Sequence, residues 1–63
     1  MTFNQFNFMS FEELAGYLFN GVEVCVNVNK ALAFRRYLSE NFPDKVDNVE
    51  FLSIEPCVYI SVN

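Results

Sequence analysis

Histidine and tryptophan are absent, four bases stand against eight acids, and glycine, proline and cysteine occur twice each. Each shortage excludes something. Without histidine no side chain titrates near neutral pH by default, so the commonest general acid–base group and the commonest metal ligand are both missing. With only Lys30, Arg35, Arg36 and Lys45 as bases and a net charge of -4, the chain lacks the basic surface that phosphate neutralisation needs. Direct nucleic-acid binding is therefore not expected. No stretch approaches the ~18 apolar residues of a membrane span. The first ten residues carry neither a base nor a long apolar run, unlike a signal peptide. These absences point to a cytoplasmic protein that touches no membrane. Cys25 and Cys57 are far apart and form no C-x-x-C motif, so they read as reduced, packed thiols rather than as a disulfide or metal ligands.

What remains is small and apolar. Sixty-three residues allow one domain, and 52% hydrophobic with 17% aromatic residues is too greasy for disorder. Size scaling gives roughly 10,600 Å² exposed in the unfolded chain and about 4,200 Å² in the folded one. If about 60% of the difference is apolar, burial contributes on the order of 95 kcal/mol. Ordering the chain costs on the order of 95 kcal/mol as well. Stability then rests on details such as caps, strand pairing or a partner.

The opening Thr2–Met9 alternates imperfectly, with Phe6 and Phe8 on one side and Asn7 on the other, and reads as a short strand or extended arm. Ser10-Phe11-Glu12-Glu13 is a capping box, with Met9 and Leu14 placed as the hydrophobic staple. Phe11, Leu14, Ala15, Leu18 and Phe19 recur at helical spacing until Asn20-Gly21, which predicts a helix over 11–19. Four valines then alternate with Glu23, Cys25 and Asn27, a strand over 22–28. Asn29 can cap a second helix over 30–42, with Ala31, Phe34, Leu38 and Phe42 on its buried stripe and Pro43 as its stop. Val49–Ile54 and Cys57–Val62 read as strands divided by Glu55-Pro56, either a tight hairpin or one kinked strand.

The order (β)αβαββ predicts a two-layer α/β (α+β) sandwich, with two helices on one face of a three- to four-stranded sheet. Val22, Val24, Val26 and Val28 with Leu14, Leu18, Phe34, Leu38, Val58 and Ile60 form the expected core. The other sheet face then carries Glu23, Cys25, Asn27, Tyr59 and Ser61, with Phe51 a further candidate, and is the place to look for a partner. The last strand, Cys57–Val62, with clean alternation and nothing after it, is the expected sheet edge, and a homodimer formed by pairing two copies through it is the expected state in solution.

No residue set supports catalysis. Glu13 is absorbed by the capping box, the cysteines have no base to activate them, and so short a chain encloses little pocket. Asp44, Asp47 and Glu50 are spaced by three, yet the loop lacks the glycine and alternating oxygens of a calcium site. No enzyme activity, metal or cofactor is expected. Arg35-Arg36 reads as the outer face of an amphipathic helix. Eight Phe and three Tyr exceed what one such core can absorb, because each brings 150–250 Å² to bury. Some of Phe3, Phe6, Tyr17, Phe19, Phe51 and Tyr59 should be exposed or covered by another chain, a homodimer included.

The run Ser10 through Leu14, with Leu18, Gly21 and Val24, resembles the helix–Gly–strand opening of many small phage and mobile-element proteins. The whole profile, tiny, acidic, aromatic-rich and without a catalytic motif, is similar to that of anti-CRISPR and other anti-defence inhibitors. The resemblance implies a non-enzymatic inhibitor whose acidic side chains imitate DNA phosphates and occupy a basic nucleic-acid groove on an effector protein. Glu40, Asp44, Asp47, Glu50 and Glu55, with Tyr59 as an aromatic anchor, are the candidate contacts. The competing expectation is a regulatory or structural interaction module, such as an antitoxin-like partner or a small assembly subunit.

Overall fold

In the computed structural model, which describes residues 3–63, the elements are α1 (Phe3–Asn7), α2 (Phe11–Phe19), β1 (Val24–Asn27), α3 (Val28–Asn41), one turn of 3₁₀ helix (Val46–Asn48), β2 (Val49–Ile54) and β3 (Cys57–Val62). The strands form one antiparallel sheet in the order β1-β3-β2, and α2 and α3 pack on one face of it. This is the small α+β sandwich that the hydrophobic periodicity predicts. Its accessible surface is 4208 Å², the size expected of a folded chain this long.

The caps explain where α2 begins and ends. Ser10 Oγ accepts from the Glu13 N–H at 3.2 Å while the Glu13 carboxylate accepts from the Ser10 N–H, closing the capping box. At the other end Gly21 has φ +90, its N–H reaches the Leu18 carbonyl, and the Val22 N–H reaches the Tyr17 carbonyl. That pair of hydrogen bonds is a Schellman stop. It consumes Val22, which is therefore 40% exposed and outside the strand rather than in the core. At the far end of β1 a similar correction applies. Asn27, not Asn29, caps α3, its side chain accepting from the Lys30 N–H. The partner strand β3 begins at Cys57, opposite Asn27, so β1 has nothing to pair with beyond that residue. Val28 opens the helix and is 39% exposed.

Register fixes the two faces. Val24 lies opposite Ile60 and Ile60 opposite Phe51, while Val26 lies opposite Val58 and Val58 opposite Ser53. These rows point toward the helices, and Val24, Val26, Val58 and Ile60 are buried against Leu14, Leu18, Phe34 and Leu38. Glu55-Pro56 makes a two-residue turn, with a cis bond between them, so the last two strands are a hairpin. It also puts β3 in the centre of the sheet. The expectation that β3 is an edge is overturned: the edges are β1 and β2.

The opening segment is a helix, not a strand or arm, over its described part; Thr2 lies outside the described residues. Alternation fails there because Phe6 is buried while Phe8 is 88% exposed. α1 lies against β1, and the Asn27 N–H donates to Asn7 Oδ1 at 2.9 Å, where a neighbouring strand would otherwise bond. Lys30 Nζ donates to the carbonyl oxygens of Asn7 and Met9 at 2.8 and 2.5 Å, tying α1 and its exit to α3.

Candidate functional site

Among the described residues, the helices leave one sheet face without a second layer. By register, β2 and β3 place Glu50 beside Ser61, Leu52 beside Tyr59, and Ile54 beside Cys57 on that face. From β1 come Cys25 beside Tyr59 and Asn27 beside Cys57. Glu23, one residue before β1, continues the same alternation toward Ser61 and is exposed. The result is graded: two acids flank a serine at one end, Leu52, Tyr59 and Cys25 cross the middle, and Ile54, Cys57 and Asn27 form the hairpin end. Leu52 and Ile54 are 59% and 55% exposed, and Tyr59 is half-buried.

Of the expected outer residues, Glu23, Cys25, Asn27, Tyr59 and Ser61 lie on this face. Phe51 does not. It turns toward the helices opposite Ile60, where the Arg35 guanidinium lies 5.7 Å from its ring centroid. Leu52 and Ile54 are the residues that sequence reasoning missed, and the signal was available. Once Glu55-Pro56 is a two-residue turn, inward Val58 and Ile60 force Cys57 and Tyr59 outward, and pairing carries Ile54 and Leu52 with them.

The candidate acids do not form one cluster. Glu50 shares the open face with Tyr59, and Asp47 sits in the 3₁₀ turn directly before β2. Asp44 is exposed in the turn leaving α3. This end is fastened by the Asn63 N–H, which donates to the Asn48 carbonyl at 2.8 Å. Glu40 belongs to the helix layer instead, paired at 3.7 Å with Arg36 on the exposed side of α3. Glu55 is in the turn at the opposite end of the hairpin.

Most of the surplus aromatics are accommodated without a second chain. Phe6 meets Tyr17 edge-on at 6.5 Å, Phe11 packs on Phe34 and Tyr37, and Phe19 and Phe42 pack at 5.0 Å with Lys45 above both rings. Rim pairing of rings keeps them half-buried rather than exposed. Phe6 is buried outright, and the strongly exposed ring among the described side chains is Phe8, which was not among the expected ones; Phe3 lies outside those described.

The two cysteines are free, Cys25 buried and Cys57 half-buried, diagonal neighbours on adjacent strands. Burial raises the Cys25 thiol pKa first, and hydrogen bonding and charge from Cys57 raise it further. The charge of Cys25 and hydrogen bonding to it raise the Tyr59 hydroxyl in turn. Both shifts favour the neutral forms of the Cys25 thiol and the Tyr59 hydroxyl, which makes Cys25 a weak nucleophile. Among the described residues no three Cys, Asp or Glu side chains converge to hold a metal, and no helix is long and apolar enough to cross a membrane. No protein-family model matches the chain, and neither a curated protein nor a solved structure is significantly similar to it.

Proposed function

We propose that this chain is a small, acidic, non-enzymatic protein-binding inhibitor of the anti-defence kind encoded by phages and mobile elements, acting by occupying a basic nucleic-acid-binding surface on its target. The observation that carries the reading is the sheet face opposite α2 and α3, where Leu52 and Ile54 lie exposed beside the half-buried Tyr59 and Glu50 and Glu23 border them. Exposed aliphatic side chains around a half-buried aromatic ring, with an acidic margin, suit a partner that is basic at the rim and apolar at its centre. Asp47 and Asp44 extend the acidic margin past the end of the sheet, and the net charge of -4 steers a cationic target toward it. Glu40 and Glu55, on other parts of the surface, contribute to that long-range field rather than to the contact.

The test is capture from lysate with immobilised wild type and with the triple charge reversal Asp44→Lys, Asp47→Lys, Glu50→Lys. A nuclease or CRISPR effector retained by the wild type at low salt and released by the triple variant supports the proposal. Retention of that effector by both proteins removes the acidic contact from the account. Recovery of only a cognate toxin or of the chain itself replaces inhibition by a regulatory or assembly role.

A further inference from the structure

The two long edges of the sheet are treated differently. Along β1 the edge is closed by α1 and by the Asn7 side chain on the Asn27 N–H. β2 has β3 on one side and, among the described residues, no strand on the other. α2 and α3 sit over β1 and β3, so the helix-side surface of β2 projects beyond the helix layer. Between α3 and this projecting strand runs a groove of about 120 Å³, lined by Val28, Ala31, Leu32 and Arg35 from the helix and by Phe51 and Ser53 from β2.

The groove is chemically polarised along the strand. α3 starts beside the hairpin end of the sheet, so Val28, Ala31 and Leu32 stand near Ser53, and Arg35, one turn further on, stands over Phe51. Ser53 is small and exposed, leaving the apolar end open, and Leu32 is exposed above it. Arg35 has no carboxylate partner among the described residues, whereas neighbouring Arg36 is paired with Glu40. Its guanidinium lies over the Phe51 ring, which leaves the five N–H donors of its fork to face a ligand.

The geometry points to β2 and α3 as the receptor for an extended peptide segment of a partner protein, added antiparallel to β2 as a fourth strand. The unpaired backbone groups of β2 supply the main-chain bonds of such an addition, and alternate side chains of the guest supply its specificity. The guest residue beside Ser53 is aliphatic and fills the apolar end of the groove. The guest residue two positions later, on the same face and beside Phe51, is Asp or Glu and pairs with Arg35. The residue between them faces the opposite side of the sheet, toward Leu52 and Ile54. The recognised chemistry is therefore aliphatic-x-acidic. This surface is independent of the acidic margin in the proposed function, because it attracts a carboxylate rather than a cation.

The experiment uses the full chain and a panel of end-blocked, fluorescein-labelled nonapeptides. Each member carries Val, Leu or Ile followed two positions later by Glu, in a threonine- and lysine-containing background. Expected are saturable binding by fluorescence anisotropy, new amide-exchange protection confined to β2, and a loss of affinity of roughly tenfold on changing the peptide Glu to Gln. Arg35→Gln, an exposed and fold-neutral change, should give the same loss and abolish the preference for Glu over Gln. Leu32→Glu should weaken every member of the panel. The inference is overturned if no member binds with Kd below about 1 mM, or if Arg35→Gln leaves the Glu preference intact. Protection of β2 that grows with protein concentration and ignores peptide also overturns it, and assigns the edge to a second copy of the chain.

Discussion

Asn27 shows how much one residue carries in so small a molecule. It is the last position of β1, it lies opposite Cys57, its N–H is taken by Asn7, and its side chain caps α3. Asn27→Ala removes the cap and should cost about 1 kcal/mol, read as a lower urea midpoint with an unchanged slope. Asn29, two residues on, is an equally good cap on sequence grounds. What decides between them is the position of the Glu55-Pro56 turn, which makes β3 begin opposite Asn27 and is a long-range fact that no local pattern contains. Cys25 gives a second prediction at this scale. Its thiol pKa is raised in the folded state by burial and by Cys57, so its stabilising share is whole below the unfolded thiol pKa and is lost as pH climbs through the folded value. The urea midpoint should fall above roughly pH 8.5, where free thiols ionise. Cys25→Ser should flatten that slope whatever it does to the midpoint at pH 7. A wild-type midpoint level up to pH 10 would show the thiol is not linked to folding.

At the scale of elements, the local signals and the tertiary ones divide cleanly. α2 is legible because everything that specifies it is within its own turns: the Ser10–Glu13 box, the apolar stripe and the Gly21 stop. Gly21→Ala places a side chain at φ +90 and should cost roughly 1–2 kcal/mol, although a Cβ there meets no other atom within 4 Å. The penalty is conformational, so Gly21→Asn should cost less than Gly21→Ala. α1 is the opposite case. Five residues cannot hold a helix by themselves, and this one exists because Phe6 buries against the core and Tyr17 while Lys30 holds the carbonyls of Asn7 and Met9. None of those partners is adjacent in sequence, which is why the segment reads as a strand from its own pattern. Lys30→Met keeps the aliphatic stem and removes the ammonium. It should lower stability by about 1.5–3 kcal/mol and raise amide exchange in α1 before the rest of the chain.

For the molecule as a whole, the layers set which surfaces are free. The outward turn of Tyr59 and Cys25 was readable from alternation, but the strand order was not, and the order decides which edge is open. With β3 in the centre, self-pairing through that strand is impossible, and among the described residues β2 is the edge left open, because α1 and Asn7 lie against β1. Glu50 lies within β2 and Pro56 in the turn beyond it, both of which blunt an edge against its own kind. Two copies each of charge -4 also repel, over a Debye length of about 10 Å at 0.1 M salt. Self-association and capture of a basic partner therefore respond to salt with opposite signs: screening weakens the second and strengthens the first. Sedimentation at about 0.05 M and about 0.5 M salt separates the two. The expected result is a 7.3 kDa species at the lower salt, with any dimer confined to the higher one and increased by Glu50→Val. A dimer that is strongest at low salt would mean that the acids meet bases across a self-interface. The acidic margin would then be spent on a second copy rather than offered to a target.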